Sequence, residues 1–129
     1  MPVVAALIAS VGLVIVSVLC LTLPGNAASG KVPRNSAIGI RTTETKKSDE
    51  GWNVGHRAAA RILKRTGIVA LILTAALLFS SFFRGEMSVV AVTCGVLGYV
   101  VVIGGLCWAA VVANNAAKEI NHQKQTDGV

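Results

Sequence analysis

The chain has 129 residues, of which 53% are hydrophobic and only 14% charged, and it carries a net charge of +6. A soluble globular domain averages about 25% charged residues, and here the shortfall is concentrated in three uncharged apolar runs. They leave no room for a separate soluble domain, so the chain reads as a single membrane domain over residues 1–129.

The first run, Val3 to Leu23, is 21 residues without a charge. A hydrocarbon core of ~30 Å needs about 20 helical residues, so this run predicts a transmembrane helix. A signal peptide is the alternative, because Asn26-Ala27-Ala28-Ser29 loosely suggests a cleavage site. Against that, a signal peptide carries a basic leader before a short apolar stretch. Met1-Pro2 supplies no side-chain charge, and the run is too long.

Residues 24–66 form a polar loop. It holds Lys31, Arg34, Arg41, Lys46, Lys47, Arg57, Arg61, Lys64 and Arg65, nine of the chain's twelve basic residues. Ser48-Asp49-Glu50 has the form of a helix start, a capping hydroxyl followed by two acids at the positive end of the dipole. Beyond it Trp52, His56, Ala59 or Ala60, and Leu63 recur at helical spacing, while Arg57, Arg61, Lys64 and Arg65 gather on another face. This pattern predicts a basic amphipathic helix before the second span. It would lie in the inner interface, with Trp52 near headgroup level and the four basic side chains on anionic lipid phosphates.

The second run, Gly67 to Phe83, has 17 uncharged residues, extended by Ile62 and Leu63 and by the snorkelling stems of Lys64 and Arg65. A hairpin of about three residues with Arg84 and Glu86 separates it from the third run, Met87 to Ala113, of 27 uncharged residues. Residues 114–129 form a polar tail with Lys118 and Lys124. The predicted fold is therefore an all-α integral membrane protein with spans at about 3–23, 67–83 and 87–113.

Short cytoplasmic loops are enriched in Lys and Arg. Three spans put the 24–66 loop and the tail on one side, with eleven basic residues, against Arg84 alone on the other. The expected topology is that of a multi-pass plasma-membrane protein, N-terminus outside, loop and C-terminus cytoplasmic.

No ionisable residue lies inside any run, which argues against an ion-coupled transporter or pump, since intramembrane charge marks those pathways. Ser10, Ser17, Thr22, Thr74, Ser80, Ser81 and Thr93 are the internal polar groups, and bonding back to their own helices accounts for them. Cys20, Cys94 and Cys107 all fall within apolar runs and read as small hydrophobes rather than a disulfide framework or metal ligands. His56 is the sole histidine of the loop, and a closed zinc site wants four ligands. There is no Ser-His-Asp set, no phosphate-binding glycine loop and no pair of carboxylates besides Asp49-Glu50. No catalytic residue, metal, cofactor or nucleic-acid partner is expected.

In the third run Cys94 and Gly98 stand four apart, and Gly105, Ala109 and Ala113 continue that spacing. Small residues at this interval let helix backbones approach closely. The stripe serves internal packing or docking on a partner equally well.

The loop has a distinctive order of residues: Pro33, Asn35, Gly39, Ile40, Arg41 and Thr42, then a polar stretch, then Trp52 with His56 four residues later, entering a transmembrane helix. This resembles the SdpI family of small bacterial membrane proteins, over roughly residues 30–66 and, in architecture, the two later spans. Family members often follow the Arg-Thr with Pro-Trp-Thr, where this chain has Thr43-Glu44-Thr45, and longer members have additional spans. The resemblance implies immunity against a secreted toxic peptide, with the toxin or a membrane-held repressor as partner. Within that reading Arg41 can bond a carboxylate or phosphate in bidentate fashion, Gly39 allows a positive-φ turn, and Asn35 bonds nearby backbone. The same residues can instead simply fold the loop against Trp52 and His56. The second functional reading, resting on the small-residue stripe and the lack of chemistry, is a non-catalytic accessory subunit of a larger membrane complex, of the cell envelope or of respiration.

Overall fold

The computed structural model describes residues 2–29, 31–34, 38–84 and 89–127. Asn35 of the motif and the hairpin residues 85–88, Glu86 among them, lie outside the described residues. Three helices make up the fold: α1 (Pro2–Ala28), α2 (Asp49–Arg84) and α3 (Val89–Asp127). Each contains a stretch long and apolar enough to cross a membrane. At ~1.5 Å per residue, α2 with 36 residues and α3 with 39 both exceed a ~30 Å hydrocarbon core by a wide margin. The surplus takes up the flanking segments. The juxtamembrane helix runs into the second span as one continuous helix, as expected, and residues 114–127 of the tail extend α3 beyond its expected end.

α1 also runs past the expected loop start at residue 24, carrying Pro24 within it to Ala28. A proline forfeits one backbone bond inside a helix. The last turn is closed by Ser29 N donating to Gly25 O at 3.0 Å and Val32 N donating to Asn26 O at 3.0 Å.

The buried positions of each helix follow a seam of alternating three- and four-residue steps. In α1 they are Ala6, Ser10, Leu13, Ser17, Cys20, Pro24 and Ala27. In α2 the seam begins Trp52, His56, Ala59, Leu63, Thr66 and Ala70. This 3.5-residue repeat keeps one face of a helix turned to its neighbours. Large apolar side chains off the seam point outward: Ile8 is 70% exposed, Ile72 62%, Phe79 64% and Ile103 62%. Exposed apolar surface on this scale is costly in water and is the ordinary state of a helix in lipid.

The chain forms two compact units. One is Met1–Leu21 with Lys64–Gly105, the other Thr22–Leu63 with Leu106–Val129. In the first, Ala6, Leu77 and Ala91 form one buried cluster, with Ala9 and Cys94 packed on it, and Leu13, Ala70 and Val102 form another. The small-residue stripe is used here. Gly98 is buried with Leu13 Cδ1 only 3.0 Å from where a Cβ would stand, and Gly105 faces the Thr66 side chain more closely still. Tyr99 Oη donates to Ala9 O at 2.8 Å. Ser17 and Thr74 bond back to Leu13 O and Ala70 O, as expected of hydroxyls in apolar helices. The Ser10 and Ser81 hydroxyls are buried without a partner among the described residues.

In the second unit Ala109, Ala113 and Ala117 are fully buried and continue the stripe along α3. The 20-residue connection between α1 and α2 packs within this unit.

Candidate functional site

The described residues of the connection, 29, 31–34 and 38–48, form no helix or strand, and a long connection of this kind is unusual in a compact domain unless it has a task. Here it folds around two side chains of the first turns of α2. Ser48 caps that helix: its Oγ accepts from Gly51 N at 2.9 Å, and Asp49 and Glu50 occupy the first turn. The cap fixes where Trp52 and His56, one turn apart, emerge.

Trp52 is 1% exposed, and its indole N–H donates to Val32 O at 3.0 Å. The indole is packed against the loop, as the loop-structuring reading of the motif expects. The apolar face of the helix is covered by the chain's own loop, and the loop supplies the acceptor that a buried indole requires.

His56 is fully buried, its ring centroid 4.2 Å from that of Trp52. The Ile40 amide donates to its Nε2 at 2.9 Å. A backbone N–H can only donate, so Nε2 carries the lone pair and Nδ1 the proton, which goes to Trp52 O at 2.8 Å. The imidazole is thus neutral with a single allowed tautomer. Burial pushes its pKa below the ordinary 6.5, with the bond to the Trp52 carbonyl pulling the other way.

Gly39 has φ of +131°, a conformation that disfavours every residue with a Cβ. A Cβ there would overlap Trp52 Cη2, stand 2.7 Å from Cζ2 and lie 3.2 Å from His56 Nε2. Glycine is required both by the turn and by its contact with the indole.

Thr45, fully buried, closes the turn that follows. Its hydroxyl donates to Ile40 O at 2.8 Å and accepts from Thr42 N at 2.9 Å. Thr42 Oγ1 lies 3.1 Å away. Arg41 is exposed, with Nη1 donating to Arg34 O at 3.0 Å. Arg34 in turn reaches Asp49 Oδ1 at 3.2 Å and Lys46 O at 3.2 Å. Pro33 is exposed beside it.

Glu44 ties the loop to α3. Its backbone N–H donates to Asn114 Oδ1 at 3.2 Å, and Asn121 Nδ2 donates to Glu44 O at 2.9 Å and to Oε2 at 3.1 Å. Asn121 Oδ1 also accepts from Ser48 Oγ at 2.6 Å. Hydrogen bonds from Lys47 first, then Asn121, hold the Glu44 carboxyl below the usual range. A polar clamp to α3 thus occupies the Glu44 position.

The structure thus brings Gly39, Ile40, Thr42, Trp52 and His56 into one unit, with Pro33 and Arg41 on its surface. Arg57, Arg61, Lys64 and Arg65 are each exposed on α2. Cys94, Gly98, Gly105 and Ala109 lie on packing faces, away from any polar chemistry. Thr45, Glu44, Asn114 and Asn121 are the members that sequence reasoning missed. A signal for the last two was present: they stand seven residues apart and so share one face of α3.

The profile of the SdpI/YfhL protein family matches residues 31–116, which is 86 of the chain's 129 residues. The chain belongs to the SdpI family. No curated protein and no solved structure was found to match it. The SdpI match begins at the loop and ends just beyond Asn114, so it takes in nearly all of the hydrogen-bonded unit, Asn121 excepted.

Proposed function

We propose that this SdpI-family membrane protein confers immunity to a secreted, membrane-active toxic peptide, and that its loop, residues 31–48, is the surface through which it signals. The observation that carries the reading is the Gly39-Ile40-Trp52-His56 unit. Among the described residues, Gly39, Ile40, Thr42, Trp52 and His56 form one packed, hydrogen-bonded unit, with Pro33 and Arg41 on its surface. A loop held this firmly is suited to recognition, because little order remains to be gained on binding. Charge counting puts the loop and the C-terminus in the cytoplasm and the N-terminus outside. The exposed Arg57, Arg61, Lys64 and Arg65 then meet anionic phosphates, each contributing on the order of 1 kcal/mol of attraction. The partners are the toxin within the bilayer and, on the inner side, a repressor that Arg41 can engage through a carboxylate. No catalytic step or cofactor enters this reading.

The accessory-subunit reading rested on Gly98, Gly105 and Ala109. Gly98 and Gly105 meet Leu13 and Thr66 of the same chain, and Ala109 is fully buried. That reading then rests on the lack of chemistry alone.

The test is deletion of the gene, followed by challenge with a panel of secreted membrane-active peptides. Sensitisation to at least one peptide is expected, with Arg41→Ala mimicking deletion at unchanged protein abundance. Equal sensitivity of deleted and wild-type cells across the panel would sink the proposal.

A further inference from the structure

His56 carries more than a structural load. Its Nε2 holds the Ile40 amide at 2.9 Å, and Ile40 O holds the Thr45 hydroxyl at 2.8 Å. Through these two bonds one imidazole lone pair anchors the turn that orders Gly39, Arg41 and Thr42. A proton on Nε2 would set N–H against N–H inside a fully buried site. We propose that His56 is a proton-operated latch: acidification protonates Nε2, breaks its bond to Ile40 and frees residues 38–45 from α2.

The surroundings offer the imidazolium little compensation. α1 carries no charged residue. In the loop, Arg34 pairs with Asp49, Arg41 donates to Arg34 O, and Glu44 bonds Lys47 and Asn121, while Lys31 and Lys46 are exposed. On α2, Glu50 pairs with Lys124 and Arg57 is exposed. On α3, Lys118, Glu119 and His122 are exposed. None of these groups forms an ion pair with His56 among the described residues. The face of Trp52, 4.2 Å away and tilted by 42°, offsets part of the charge through its π cloud but replaces no acceptor. The burial that lowers the His56 pKa agrees in direction. The latch is therefore closed at neutral pH and opens in the acid range below 6.5. A consequence follows for the exposed surface. Arg41 adjoins the turn that the latch holds, so acid pH withdraws the ordered arrangement of the motif without altering the spans.

The test uses the full chain, nitrogen-15-labelled, in detergent micelles between pH 7.5 and 5. The His56 ring nitrogens report protonation. Hydrogen exchange at the Ile40 amide, corrected for its intrinsic pH dependence, reports the latch. The proposal expects an unprotonated Nε2 at pH 7.5 and a protonation midpoint below the ordinary 6.5. It also expects Ile40 protection to fall towards tenfold per pH unit once below 6.5. In His56→Gln the amide oxygen retains an acceptor without a titrating group, so protection should be independent of pH. Any of four results overturns the proposal: a protonated Nε2 at pH 7.5, a His56 that stays neutral to pH 5, a His56 titration that leaves Ile40 protection unchanged, or equal loss in wild type and His56→Gln. If the Gln variant does not fold, the wild-type titration decides alone.

Discussion

Replacing Gly39 by alanine tests the account of the loop at its tightest point. Two costs act together. A non-glycine residue at φ of +131° is strained by ~1–3 kcal/mol. A methyl group placed 2.7 Å from Trp52 Cζ2 overpacks the site, which costs a further ~1–3 kcal/mol. The indole has no easy retreat, since it is 1% exposed and its N–H is committed to Val32 O. The expected loss is about 2–6 kcal/mol, enough to lower exchange protection at Ile40 and Thr42 by at least about thirtyfold. Gly104→Ala is the control. No atom lies within 4 Å of its would-be Cβ, and in the interior of a helix the exchange gains up to ~1 kcal/mol. A second readout is the emission of Trp52 in a Trp108→Phe background, which should report increased solvent access in the Gly39 variant. Wild-type protection of Ile40 and Thr42 in Gly39→Ala would refute the claim that glycine is demanded by turn and indole together.

Asn121→Ala removes two bonds to Glu44 and one from Ser48, so it should destabilise the loop by about 1–3 kcal/mol in denaturant titration and raise exchange at Gly51. Gly105→Ala drives a methyl into Thr66 and should lower the thermal midpoint by the equivalent of ~1–3 kcal/mol, with Thr66→Ala restoring most of it. Ser48→Ala deletes the α2 cap and should cost ~0.5–2 kcal/mol, visible as fraying of residues 49–52 by hydrogen exchange. The Glu44 carboxyl is held below its unfolded value of 4.5 by Lys47 and Asn121. Its contribution to stability is therefore complete above that pH and is lost as pH falls through the lowered pKa, so Glu44→Gln should flatten the acid limb of the stability profile.

The spans were legible because lipid imposes a crude demand, and Val3–Leu23, Gly67–Phe83 and Met87–Ala113 meet it by composition alone. The helix start at Ser48 was legible too, since a cap is a local arrangement of neighbouring residues. Packing of the loop against Trp52 was legible from the motif, but the indole's acceptor was not: it is the carbonyl of Val32, and a backbone oxygen leaves no mark on a sequence. The clamp from Glu44 to Asn114 and Asn121 spans 70 and 77 positions of chain. Local patterning does not reach that far, although the seven-residue spacing of the two asparagines hinted at a shared face.

The central claim is that an ordered loop confers protection against a membrane-active peptide. Survival of gene-deleted cells under such a peptide, complemented at equal protein abundance with wild type, Gly104→Ala or Gly39→Ala, measures it directly. The account predicts that wild type and Gly104→Ala restore survival while Gly39→Ala does not. Full restoration by a Gly39→Ala protein whose Ile40 protection is lost would contradict it.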